Sequence, residues 1–318
     1  MRRIITVITI ITIIIFIFYG WWNSQSSPVS GDKAVKNFVI PKGVGVSEIA
    51  KKLKQEGLIK SELFFKFYIS QNNLAGKIQA GSFKLSPSMS VAEITKNLQS
   101  GSEDIWITFI EGWRIEEFAD KLNQELKIDK SKFLKLSKEG YMFPDTYLFP
   151  KEATVEYIVD TLRKTFDLRF NEDLRQKVRS KGLTEKEAVI LASLVEREGR
   201  SDKVRREVAS ILLKRINIGM KLDVDATVQY ALGFQEDEKS WWKRHITKED
   251  KEIKSSFNTY TNRDLPPSPI CNPSLSSLQA VADADAATPY LYYYHDSKGN
   301  SHYATDLDEH NANVANNP

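Results

Sequence analysis

The sequence predicts an α+β fold: a membrane anchor helix, a small α/β subdomain and a larger, mixed α+β domain. Three observations predict it. An uncharged apolar run stands near the N-terminus, from Ile4 to Trp22. Short strand-like segments then alternate with amphipathic helical patterns as far as Leu122. Beyond that point, strong helical periodicities are broken by aromatic and proline-rich loops and closed by a hairpin pattern.

The apolar run comes first. Its nineteen residues, at about 1.5 Å each, give roughly 28 Å, close to the hydrocarbon thickness of a bilayer. Arg2 and Arg3 assign residues 1–22 a cytoplasmic end, while Tyr19, Trp21 and Trp22 suit the far interface. The run is long for the apolar part of a cleaved signal, and it ends in Gly-Trp-Trp without a small-x-small cleavage site. The expected location is therefore the cell membrane, single-pass, with the catalytic domain outside the cytoplasm. Residues 23–36, rich in Ser, Gly and Pro, read as a flexible stalk.

Composition narrows the chemistry. The single cysteine, Cys271, allows no internal disulfide framework. His245, His295, His302 and His310 show no zinc-ligand spacing, and no glycine-rich phosphate loop is present. A net charge of +3 in mixed-sign segments offers no nucleic-acid patch. The sequence thus predicts no metal and no cofactor, so the reactive groups are carboxyls, hydroxyls and amides.

After the stalk, an extended apolar segment, a turn and a short amphipathic helix recur. The copies are Phe38–Gly43 with Val46–Leu53, Gly81–Leu85 with Val91–Leu98, and Ile107–Gly112 with Ile115–Leu122. Each helix carries apolar residues at i and i+4, enough to cover one face of a small sheet. Duplication of one strand–helix unit explains the similarity, although short amphipathic helices resemble one another without it. Residues 37–101 form the expected subdomain and 102–318 the catalytic domain.

Helical periodicity continues over Ser131–Ser137, Val155–Phe166 and Glu172–Ser180. The stretch Gly140–Pro150 interrupts it with four aromatics and two prolines, an ordered loop that serves either as a sugar platform or as a core plug. Thr184-Glu185-Lys186-Glu187 is a capping box that starts a helix, followed by the apolar run Ala188–Val195 and then Glu196. Glu196 shares a helical stripe with Val189 and Ala192, so desolvation should raise its pKa toward that of a general acid. The competing reading turns Glu196 into water, paired with Arg200. A second helix spans Lys203–Asn217 and stops at Gly219. Four prolines make Leu265–Pro273 an extended wall. A helix over Ser274–Ala282 and a hairpin of Tyr290–His295 with Ser301–Ala304 follow.

Several of these segments are similar, in order, to the endolytic murein transglycosylase or YceG-like family. They are Leu191–Glu196, Asp225–Tyr230, Asn258-Thr259-Tyr260, Leu265–Ile270, Thr288–Tyr292, Glu309-His310-Asn311 and the loop Glu139–Tyr147. The anchor, the LysM-like subdomain and the catalytic domain match that family's architecture. The resemblance implies cleavage of the β-1,4 bond between N-acetylmuramic acid and N-acetylglucosamine inside nascent peptidoglycan strands. It also implies 1,6-anhydromuramic ends, termination of strand elongation and peptidoglycan synthases as partners. It assigns catalysis to Glu196, a lone acid and then base, with the muramic C6 hydroxyl as nucleophile. Asp225, Gln229, Asn258, Tyr260 and Tyr147 become candidate substrate-binding residues. Glu198 sits two positions along the helix, about 200° round, and so faces elsewhere.

Val281–Ala287 departs from the family's usual turn, and the chain ends soon after Asn311 without the usual further helix. No role at either place is carried over. Two alternatives stay open: a hydrolytic muramidase, which needs a second, water-activating carboxylate, and a non-enzymatic glycan-binding scaffold.

Overall fold

The computed structural model describes residues 2–41, 43–100, 104–151 and 153–317, with side chains from Thr9 onward. Met1, the side chains of Arg2 and Arg3, and the expected domain boundary at Gly101–Ser102 lie outside the described residues. The chain divides into two compact units: residues 1–106 with 148–151, and residues 107–147 with 152–318.

In the first unit, α1 (Arg2–Ser26) runs through the apolar stretch into Asn23-Ser24-Gln25-Ser26. Among the described residues, no helix is long and apolar enough to cross a membrane. The expected single-pass membrane location is corrected on that ground. The tryptophans expected at a membrane interface instead pack edge-on against Phe64, with ring centroids 5.5 Å away for Trp21 and 5.0 Å for Trp22. Lys60 Nζ donates to the Ser24 carbonyl and to Ser27 Oγ. The following segment is tied by Ser30 N donating to the Pro87 carbonyl and Ser86 Oγ donating to the Asp32 carbonyl.

Strand β1 (Lys36–Ile40) leads to α2 (Val46–Gln55) and α3 (Glu62–Gln71), and β2 (Gly81–Leu85) leads to α4 (Val91–Gln99). β1 and β2 pair antiparallel with Phe38 opposite Phe83. Period-two alternation turns Phe38, Ile40, Phe83 and Leu85 inward, where Leu53, Phe64, Phe65, Ile94 and Leu98 meet them. Ser90 and Glu93 form a capping box at the start of α4.

In chain order the next elements are β3 (Ile105–Thr108), α5 (Ile115–Leu126), α6 (Lys130–Leu136), β4 (Thr146–Phe149), α7 (Val155–Arg169) and α8 (Glu172–Ser180). β3 pairs with β4. Then come α9 (Glu185–Glu198), α10 (Asp202–Asn217), α11 (Asp225–Leu232), α12 (Leu275–Ala282), β5 (Tyr292–His295), β6 (Ser301–Ala304) and α13 (Leu307–Asn316). The capping box at Thr184 and Glu187 is present, and Ala188 through Val195 are all buried. A helix apolar on every side has to be enclosed, and α8, α10, α11 and α12 pack around α9. α13 packs on the β5–β6 hairpin and carries Glu309-His310-Asn311.

Asn272, fully buried, ties three loops together. Its Oδ1 accepts from the amides of Gly140 and Met142, and its Nδ2 donates to the Trp113 carbonyl and Glu139 Oε1. Gly140 (φ +85°) is required there, because a Cβ would stand 2.4 Å from Pro269 Cγ. This arrangement decides the aromatic loop in favour of the core plug, with Tyr141, Met142, Phe143 and Tyr147 buried.

Candidate active site

Helix α9 ends in Glu196-Arg197-Glu198, and the two glutamates leave its last turn in different directions. Glu196 is held by polar partners from two other helices. Its side chain, 4% exposed, receives Arg205 Nη2 from α10 at 2.9 Å on Oε1. On Oε2 it receives the Ser274 amide at 2.8 Å and the Ser274 hydroxyl at 2.5 Å. Ser274 is the N-cap of α12, so Glu196 joins the ends of three helices. A cation and two hydrogen-bond donors hold the side chain in that place. Gly199 lets Arg205 cross the helix end, since a Cβ there would lie 2.4 Å from Arg205 Cγ.

Glu198 lines a cavity of about 530 Å³ together with Arg215, Asp223, Asp225, Lys251, Tyr260, Tyr292, Tyr293, Tyr294, His295 and His310. Glu196 is absent from that lining. Burial, and then the Asp225 carboxylate, push the Glu198 carboxyl up to about 7, against the hydrogen bond from Tyr293 and the charge of Arg197. Its place as the last residue of α9, at the negative end of the helix dipole, acts in the same direction. Asp225 is the first residue of α11. The raised Glu198 carboxyl and the Asp225 carboxyl thus line one cavity.

Local chemistry fixes Asp225 and Tyr260. Thr259 Oγ1 accepts from the Val224 amide and shares a 2.9 Å hydrogen bond with Thr227 Oγ1, which locks the Asn258-Thr259-Tyr260 segment to the start of α11. Tyr260 Oη then donates to Asp225 Oδ1 at 2.6 Å, and Lys251 Nζ reaches the same oxygen at 3.0 Å. Arg215 braces the cavity floor, donating to the carbonyls of Leu291 and Leu222 and stacking 5.0 Å from the Tyr292 ring centroid. Burial, followed by nearby arginines, holds His295 and His310 below the usual histidine range, so both are neutral near pH 7.

Of the residues expected to bind substrate, the structure brings Asp225 and Tyr260 into the cavity and not the other three. Asn258 is buried and its side chain is spent on the carbonyls of Lys251 and Ile253 and on the Tyr260 amide. Gln229 Nε2 donates to the Lys243 carbonyl. Tyr147 Oη donates to the Phe143 carbonyl inside the core. Sequence reasoning passed over Lys251 and Tyr293, and set Glu198 aside for facing away from Glu196. The usable signal was a glutamate at the very end of a buried helix, directly before glycine. Among the described residues, no cluster of His, Cys, Asp and Glu is placed to hold a metal ion.

A profile of the YceG-like family matches residues 38–316. The chain belongs to the YceG-like family. It is 31% identical over 317 residues to an endolytic murein transglycosylase of Bacillus subtilis (strain 168), covering 89% of this chain and 85% of that one. It is 27% identical over 344 residues to an endolytic murein transglycosylase of Streptococcus pneumoniae (strain D39), covering 94% of this chain but only 62% of that longer protein. The crystal structure of a YceG-like protein from Listeria monocytogenes superposes with a TM-score of 0.59 at 27% identity, over 88% of this chain and 99% of that one.

Proposed function

We propose that this YceG-like chain cleaves the β-1,4 bond between N-acetylmuramic acid and N-acetylglucosamine within peptidoglycan strands, with Glu198 as acid and then base. It is an enzyme, a lytic transglycosylase, in keeping with the names of its curated relatives. The observation that carries the reading is a carboxyl at about 7, enclosed with a second carboxylate and a set of tyrosines in one cavity.

The chemistry follows from those groups. Protonated Glu198 gives its proton to the glycosidic oxygen as the bond to C1 breaks. Positive charge grows on C1 and the ring oxygen, and the Asp225 carboxylate across the cavity stabilises it. The muramic C6 oxygen closes on C1, and the Glu198 carboxylate takes its proton, which restores the starting acid. The products are a strand with a 1,6-anhydromuramic end and a strand with a free N-acetylglucosamine hydroxyl. Water is not consumed. Tyrosines 292 to 294 and 260 supply ring faces and hydroxyls suited to a pyranose. Cutting nascent strands beside the synthases would terminate their elongation.

Mass spectrometry of peptidoglycan digested by the chain tests this. Anhydromuramic ends are expected; reducing muramic ends would make Asp225 the activator of a water and the enzyme a hydrolase.

A further inference from the structure

A second groove of about 290 Å³ lies in the same unit, bordered by Trp113, Phe234 and Trp241. Phe234 and Trp241 stand on the two arms of a small flap, closed by the antiparallel bridge between Gln235 and Ser240 and entered from α11 through Gly233 (φ +73°). Their rings meet edge to face, with centroids 5.2 Å apart. The flap rests on the buried guanidinium of Arg114, which lies 4.4 Å from the Trp241 ring centroid and 4.1 Å from that of Tyr230. Ordinary core packing would cover these rings. Phe234 is instead 39% exposed, and Trp113 and Trp241 are only half-buried.

Around the rings stand Glu117, Asp120, Gln124, Lys121 and Lys239. Two carboxylates are matched by two ammonium groups, so the groove favours neither an anionic nor a cationic polymer. Aromatic faces rimmed by balanced polar groups fit a neutral ring that carries hydroxyls and amides. We infer that Trp113, Phe234 and Trp241 form a second saccharide-binding subsite, which holds β-1,4-linked N-acetylhexosamines away from the bond being cut.

This inference rests on the reading of the chain as an enzyme of glycan strands, and placement supports it. Asp225 opens α11 in the cavity of Glu198, and Tyr230, near the other end of α11, carries the Arg114 that carries Trp241. Five residues of helix advance about 7.5 Å, so one short, rigid element links the two sites. An enzyme that cuts inside a strand has to hold sugars beyond the pair that reacts, and binding energy gained remotely helps to position the reacting bond.

The test uses the full chain in a Glu198→Gln background, with β-1,4-linked N-acetylglucosamine hexamer and dimer as probes in calorimetric titrations. Trp241→Ala should weaken hexamer binding about tenfold while dimer binding changes less than about twofold. Phe234→Ala, at a more exposed ring, should give the same pattern and remains informative if the tryptophan variant does not fold. Equal hexamer affinity in the parent and Phe234→Ala would overturn the subsite. So would equal losses for dimer and hexamer, which would place the effect on the whole fold. Neither result touches the assignment of Glu198, which is judged by strand cleavage in the chain with native aromatics.

Discussion

Glu196 and Glu198 are separated by one residue in the last turn of α9, yet Glu196 closes an ion pair with Arg205 while Glu198 opens into the cavity that holds Asp225. Helical rotation makes this division unavoidable, since residues i and i+2 cannot share a face. It also assigns different work to the two carboxyls. The Glu196 interactions fasten α9 to α10 and to the cap of α12, and thereby fix the turn from which Glu198 projects.

Arg205→Met should leave the Glu196 carboxylate without its cation in a nearly closed site. Loss of one partner of such a pair costs about 3 kcal/mol. Thermal or urea unfolding should show this loss, and the double variant with Glu196→Gln should recover part of it, which would measure the coupling directly.

Asp225→Asn removes a negative charge whose field raises the Glu198 carboxyl. The acid then loses its proton at lower pH, so the alkaline limb of kcat/KM on glycan strands should move down from near 7 by about half a unit to one unit. Maximal turnover should also fall, because the developing positive charge loses its partner. An unmoved alkaline limb would disconnect Asp225 from Glu198.

Glu139 supplies a stability prediction. Burial, and then Glu116, push its carboxyl up to about 8, although the Ile115 amide donates to it. Because the folded value lies above the unfolded one, its contribution is complete below about 4.5 and is lost as pH rises through about 8. Glu139→Gln should therefore flatten the fall in melting temperature between about pH 5 and 8, and raise stability at pH 8 by about 2 kcal/mol. A parallel fall in both proteins would contradict it.

Asn272→Ala should be among the most damaging single changes. It strands two loop amides and removes one of the two donors to the Trp113 carbonyl and the Asn272 donor to the buried Glu139 at once. A cost of about 4 kcal/mol is expected from several buried groups left unsatisfied, read as a drop in the urea midpoint with m unchanged.

Much of this was legible in the sequence because it is local. The capping box at Thr184, the buried run that follows it, the strand–helix units and the hairpin after Tyr290 all depend on neighbours within a few residues. The active site does not. Glu196 looks like an acid on an apolar stripe until Arg205, nine positions on, and Ser274, on another helix, reach it. Asn258 and Gln229 have the chemistry of sugar ligands, but their amides are consumed by backbone carbonyls that only the folded insert brings near. The N-terminal helix was judged by its composition alone, without the packing of Trp21 and Trp22 on Phe64.

The most direct measurement is mass spectrometry of glycan strands treated with wild type, Glu198→Gln and Glu196→Gln, each checked for folding by circular dichroism. Glu198→Gln should yield no new anhydromuramic ends, because an amide cannot give and retrieve the proton, whereas Glu196→Gln should still cut, at a reduced rate. A folded Glu198→Gln that cuts normally beside a folded but inert Glu196→Gln would contradict the assignment.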